Sequence, residues 1–222
     1  PEKRPFFAGT YFPKKRRGGM VSFGELLTII HERWERDRAS LLDPAEEIIA
    51  LLNQAKTAED KAELGMLEEA AGLYKRLFDR ENGGFGGAPK FPSSHNLLFL
   101  LAYYRRRGDQ DCLEMAERTL TQMYRGGLFD HIGGGFCRYS TDERFLVPHF
   151  EKMLYDNALL ILAYCEAYSV TRKRLYLLAA ERTTDFILRE MTAPEGGFYS
   201  ALDADSGGEE GKYYLFKPEE II

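Results

Sequence analysis

The sequence predicts a mainly α fold, an incomplete (α/α)6 toroid of helical hairpins. Three observations predict it. Gly-Gly-Phe recurs at Gly83-Gly84-Phe85, Gly134-Gly135-Phe136 and Gly196-Gly197-Phe198, a spacing of about fifty to sixty residues that marks a structural repeat. Between these loops, two helical patterns alternate. The first of each pair (97–104, 158–164) is apolar on every side, whereas the second (111–124, 174–191) carries a charged face. A helix apolar all round must be surrounded by protein, and an amphipathic one belongs outside. Inner helices ringed by outer helices make an α/α toroid.

Taken in order, residues 5–12 are short, aromatic and β-prone and read as a strand or tight hairpin. A basic loop, 14–19, follows. Ser22 and Glu25 stand in capping-box spacing ahead of a helix containing Leu26, Ile29, Ile30 and Trp34. Asp43-Pro44 predicts a second start, a cap followed by Pro at the first helical position, running to about residue 55. The polar, Ala-rich stretch 57–63 marks a boundary, giving domains 1–57 and 58–222. Helices are then expected at 64–78, 94–107, 111–124, 149–170 and 174–191, separated by the Gly-rich loops. The run Pro89-Lys90-Phe91 before His95-Asn96 parallels Pro148-His149-Phe150 before Asp156-Asn157. Lys90 is expected to be solvated. Residues 203–206 open a β-hairpin whose return is 212–216, and Lys217-Pro218-Glu219-Glu220 opens a further helix.

Such a ring needs about six hairpins, and this sequence supplies two and the start of a third. With strand-like residues at its beginning and a helix start at its end, the chain reads as an excerpt of a longer protein. Each large apolar side chain left wet at the open edge forgoes about 1.5–3 kcal/mol, so this excerpt expressed alone is expected to be aggregation-prone or molten.

Composition narrows the function classes. Hydrophobic residues are 44% and charged residues 29%, the balance of a globular protein. The net charge of −5 gives no basic footprint, so nucleic acid is not an expected partner. The longest apolar run, 158–165, is too short to span a membrane. Cys112, Cys137 and Cys165 are widely spaced and form no Cys-x-x-Cys, which suggests neither a disulfide framework nor a zinc site. Cys112 and Cys165 read as buried thiols, and a reducing, cytoplasmic location is expected. Asp203-Ala-Asp205 opens like a calcium loop, but Gly207 and Tyr214 stand where ligands are needed. No Gly-Lys-Ser/Thr follows any glycine-rich segment, so no phosphate loop is present. Neither metal nor cofactor is called for.

Several long motifs resemble one family: Arg4-Pro-Phe-Phe-Ala-Gly-Thr-Tyr-Phe-Pro13, residues 83–92, Gly127-Leu-Phe-Asp-His-Ile-Gly-Gly-Gly-Phe136, residues 139–158 and residues 196–206. They are similar to the thioredoxin-domain-containing family that includes spermatogenesis-associated proteins. The resemblance covers nearly the whole chain. It implies that 1–57 is the C-terminal strand and helix of a thioredoxin-like domain plus linker, and that 58–222 begins a six-hairpin glycosidase-like toroid. The family's redox motif would lie upstream. Cys137 stands where the family pattern has His.

The densest polar region is 130–156. It holds Asp130, His131, Arg138, Asp142, Glu143, Arg144, His149, Glu151, Lys152 and Asp156. On a helix beginning at 149, Lys152, Asp156 and His149 would share one side and Glu151 and Tyr155 another. A His beside a carboxylate can exchange protons near neutral pH, and paired carboxylates with an arginine suit sugar hydroxyls and glycosidic oxygens. The expected catalytic residues are therefore His131, His149 and Glu151. Asp130, Arg138, Asp142, Tyr155, Asp156, Asp203 and Asp205 would bind a carbohydrate or other small-molecule ligand. His131 and His149 could instead form a two-histidine acid/base pair. The competing reading gives Asp142 a capping role and spends the charged residues on ion pairs, leaving a scaffold or recognition module.

Overall fold

A computed structural model describes residues 3–54 and 65–221. The chain divides into two compact units, Pro1–Ala62 and Glu63–Ile222. The boundary expected at 57/58 falls within 55–64, outside the described residues.

In the first unit, α1 (Phe23–Arg36) opens with the capping box read from sequence. The Glu25 amide donates to the Ser22 hydroxyl, and the Ser22 amide donates to the Glu25 carboxylate at 2.8 Å. The next helix, α2 (Ala39–Gln54), begins earlier than Asp43-Pro44 predicts, and Pro44 lies inside it. Asp37 supplies the earlier start, accepting the Ser40 amide at 3.3 Å. Residues 5–12 form no strand, contrary to expectation. A strand needs a ladder partner, and in this stretch the described residues supply only the Arg17–Met20 bridge that follows it.

The second unit holds α3 (Met66–Leu77), α4 (Ser94–Arg107), α5 (Gln110–Arg125), α6 (Leu154–Thr171) and α7 (Arg174–Glu190). Two hairpins are built alike. Gly108, at φ +73°, ends α4, and Asp109 caps α5 by accepting the Cys112 amide. Arg172, at φ +58°, ends α6 one residue before α7. Helices α4 and α6 pack together as the inner layer, with α5 and α7 outside them. Leu97, Leu100, Leu101, Leu160, Ala163 and Tyr164 fill the seam with Met115, Leu120 and Tyr176 from the outer helices. The Tyr164 hydroxyl is satisfied in that core by the Leu120 carbonyl at 2.8 Å. Full burial of α6 is not met: Tyr155, Leu159 and Leu162 are exposed, Leu162 by 56%. Cys165 is exposed too, although Cys112 and Cys137 are buried.

Three two-residue ladders tie the loops together. They are β1 (Tyr139–Ser140) with β2 (Pro148–His149), β3 (Lys152–Met153) with β4 (Ala201–Leu202), and β5 (Asp205–Ser206) with β6 (Glu209–Glu210). The last return strand is therefore Glu209–Glu210 rather than 212–216. The opening at Lys217 is a 3₁₀ turn, Pro218–Glu220. The helix expected from His149 starts five residues later, at Leu154. Backbone groups of 148–153 are already committed: His149 pairs with Tyr139, Lys152 with Leu202, and the Arg138 amide donates to the Glu151 carbonyl at 2.8 Å.

Candidate functional site

The first two Gly-Gly-Phe loops are copies of one device. In the first, the Asp79 amide donates to the Gly84 carbonyl and the Gly83 amide to the Asp79 carbonyl. In the second, Asp130 and Gly135, then Gly134 and Asp130, repeat those bonds. Each loop is clamped by a buried lysine. Lys90 Nζ donates to Asp79 at 2.5 Å and to the carbonyls of Gly83 and Glu143 at 2.8 Å. Lys152 Nζ donates to Asp130 and to the Gly134 carbonyl, both at 2.8 Å. Lys90 is 1% exposed, so the expectation of a solvated side chain is overturned. Its counterpart is Lys152, not His149 as the sequence parallel suggested. A buried ammonium requires a carboxylate and carbonyls around it, and the loops provide both. Burial raises the Asp79 and Asp130 carboxyls, but the lysines and nearby amides outweigh it and hold both below the usual range. The close approach also demands glycine: at Gly135, φ +78°, a Cβ would lie 2.4 Å from the Phe186 ring.

Lys90 bridges to Ser140 on β1 and Lys152 lies on β3, so the clamps fix the short strands that flank the polar cluster. Glu151 accepts from Arg138 at 2.7 Å. His149 lies between Glu210 and Glu151, with Nδ1 2.6 Å from a Glu210 oxygen and Nε2 3.9 Å from Glu151. Its ring stacks on Tyr139 at 4.9 Å, and Tyr139 in turn packs on Phe91 at 4.8 Å. The Glu210 contact favours the proton on Nδ1, which leaves Nε2 free to accept. Asp156, in the first turn of α6, completes the group. Burial pushes its carboxyl up to about 6; Arg138 opposes that rise and Glu151 adds to it. Its Oδ2 is buried without a hydrogen-bond partner among the described residues, whereas buried polar atoms ordinarily find one.

Of the sequence-predicted residues, the structure thus brings together Arg138, His149, Glu151 and Asp156. The shared helical side proposed for His149, Lys152 and Asp156 does not exist, because the first two lie on strands. Lys152 points into its own clamp with Asp130. His131 is exposed, packs edge-on against Tyr124 and Phe129, and shares no contact with His149. Asp142 caps no helix. It accepts the amides of Arg144, Leu146 and Val147 and closes the β1–β2 turn. Burial raises the Asp142 carboxyl and these amides more than reverse that, leaving it lowered. Asp203 accepts the Asp205 amide at 3.0 Å in a local turn just beyond β4. Tyr155 is exposed on α6. Asp130 and Cys137 border a separate cleft of about 290 Å³ with Phe150, Tyr214 and Leu215. Burial pushes the Cys137 thiol up to about 11, away from nucleophilic use. No three His, Cys, Asp or Glu side chains among the described residues gather as a metal site.

Sequence reasoning missed Glu210, Tyr139 and Asn157. Asn157 is fully buried; it accepts the Phe136 amide and donates to the carbonyls of Phe136 and Met153. The repeated Asn96 and Asn157 gave a signal for the last, since Asn96 also makes a side-chain bond, accepting from Tyr74. Nothing local marks Glu210, which arrives from 61 residues away.

A family model, Thioredox_DsbH, described as "Protein of unknown function, DUF255", matches residues 1–53. Human spermatogenesis-associated protein 20 is 38% identical over the whole chain, and the chain spans 30% of that protein's length. An uncharacterized protein of Caenorhabditis elegans is 35% identical, again over the whole chain and 32% of its own length. Among solved structures, a sugar epimerase from a ruminal bacterium matches with a TM-score of 0.55 at 23% identity, covering 62% of this chain and 40% of that one. Cellobiose 2-epimerase from Bacillus thermoamylovorans matches with 0.54 at 21% identity, covering 62% and 41%. At such identities the likeness shows the fold alone, part of an (α/α)6 toroid. Among the described residues, no helix is long and apolar enough to cross a membrane. Over its whole length the chain is thus similar to spermatogenesis-associated protein 20, and its first 53 residues match the thioredoxin-like family model.

Proposed function

We propose that the second unit binds carbohydrate at the Arg138–His149–Glu151–Asp156 cluster and acts on it by acid/base chemistry. The observation that carries this reading is Asp156. Its carboxyl, held up to about 6, can give and take a proton close to neutral pH, and its Oδ2 has no internal partner. His149 Nε2 and Glu151 stand beside it as the second proton-transfer group and as an acceptor for sugar hydroxyls. Arg138 positions Glu151. Asp203, just beyond β4, would contact hydroxyls from the rim. The fold shared with sugar epimerases supports a carbohydrate ligand only by analogy. In a reducing cytoplasm the three cysteines would remain thiols and take no part.

One observation favours a second reading, a scaffold or recognition module serving a thioredoxin-like domain. Asp130, Arg138 and Asp142 all spend their side chains on internal bonds. A ligand-observed NMR screen of monosaccharides and glycans separates the two. The carbohydrate reading expects binding that Asp156→Asn weakens at least tenfold. No binding, together with an unchanged cellular phenotype of His149→Ala, favours the scaffold.

A further inference from the structure

The charges around the cluster select among sugars, an inference that rests on the carbohydrate reading above. We infer that the site accepts neutral or amino sugars and rejects uronates and sugar phosphates. Glu151 is paired with Arg138 at 2.7 Å and its charge is felt at Asp156, and Glu210 stands 2.6 Å from His149. The β5–β6 register sets Asp205 directly opposite Glu210, and Asp203 follows β4 immediately. Nearby cations are already engaged: Arg138 is 2.7 Å from Glu151, Lys152 is 2.8 Å from Asp130 within its buried clamp, and Lys212 is 3.5 Å from Glu209. An incoming carboxylate or phosphate would find these three paired and would meet like charge, which discriminates strongly at close range. An ammonium would meet complementary charge.

A second feature points to a sugar ring beside those carboxyls. Tyr139 stacks on His149 at 4.9 Å and packs on Phe91 at 4.8 Å with a 36° tilt, and Phe91 is 48% exposed. A flat aromatic face of this kind suits the apolar C–H face of a pyranose, while the carboxyls accept from its hydroxyls.

The test uses the full chain with three methyl glycosides of matched ring configuration, neutral, 2-amino and uronate, in both gluco and manno series. Affinities are measured by titration NMR at low salt. The expected result is binding of the neutral and amino sugars, with the uronate at least about tenfold weaker. The gap should narrow as salt screens the field and in Glu210→Gln. Phe91→Ala should weaken the neutral and amino sugars alike. A uronate that binds as tightly as the neutral sugar overturns the charge selection while leaving the carbohydrate reading standing. Failure of every glycoside to bind removes both.

Discussion

Replacing Lys152 with Met should open the second Gly-Gly-Phe loop and leave the first intact. Lys152 Nζ has a 2%-exposed side chain and holds Asp130, 14% exposed, together with the Gly134 carbonyl. Methionine keeps the volume but removes the ammonium. Asp130 then retains the amides of Ile132 and Gly133 and loses the Lys152 ammonium. Breaking a buried pair on one side costs about 3–5 kcal/mol. The two surviving amides place this case near the lower end, about 3 kcal/mol. At about 1.4 kcal/mol per factor of ten, local opening should become roughly a hundredfold more frequent. Native-state hydrogen exchange reads this directly. Amides of Asp130, Gly134 and Cys137, bonded within the loop at 2.8–2.9 Å, should exchange about a hundredfold faster. Those of Asp79 and Gly83, in the Lys90-clamped loop, serve as the internal control. Asp130→Asn combined with Lys152→Met should recover much of the protection, because no unpaired charge remains. Unchanged exchange at Gly134, or an equal rise in both loops, would refute the clamp as the organising element.

Other expectations follow from the same structure. Asn157→Leu removes three buried side-chain bonds and strands the Phe136 amide and carbonyl, a loss of about 2–4 kcal/mol in urea denaturation. Gly135→Ala places a Cβ against Phe186 at positive φ and should lower the thermal midpoint, whereas Gly86→Ala meets open space and carries only the φ strain. Ser22→Ala dismantles the capping box and should cost about 1 kcal/mol of α1 stability, seen as faster exchange in its first turn. The Asp156 carboxyl is raised from its ordinary 3.8 to about 6. Folded protein therefore holds a proton that the unfolded chain releases in that window. Its contribution is complete below about pH 4 and is lost as pH rises through 6. Asp156→Asn should abolish that slope in pH-dependent denaturation.

The helical layers were legible because periodicity reports burial. Helix α4 coincides with its predicted span, α5 is longer by a residue at each end, and α7 is shorter by one at its C-terminal end. The Ser22–Glu25 box was legible because the bonds are local. Failures came wherever a distant partner decided the outcome. Residues 5–12 have β-prone side chains but no ladder. His149, Glu151 and Lys152 follow helical spacing, yet backbone pairing to Tyr139, Arg138 and Leu202 holds them extended. Lys90 and Lys152 look like surface lysines until their carboxylates, 11 and 22 residues away, are seen. The site shows the same division. Its residue types were visible in 130–156, but their sorting was not. Asp130 and Asp142 became loop fasteners, His131 went to an aromatic edge, and Asp156 emerged as the unpartnered acid.

The most direct test of the account is a ¹³C NMR titration of the Asp156 side-chain carboxyl, with and without a neutral sugar that binds. The account predicts a midpoint near 6 that moves when the sugar occupies the site. A midpoint at the ordinary aspartate value, unmoved by sugar, would contradict it.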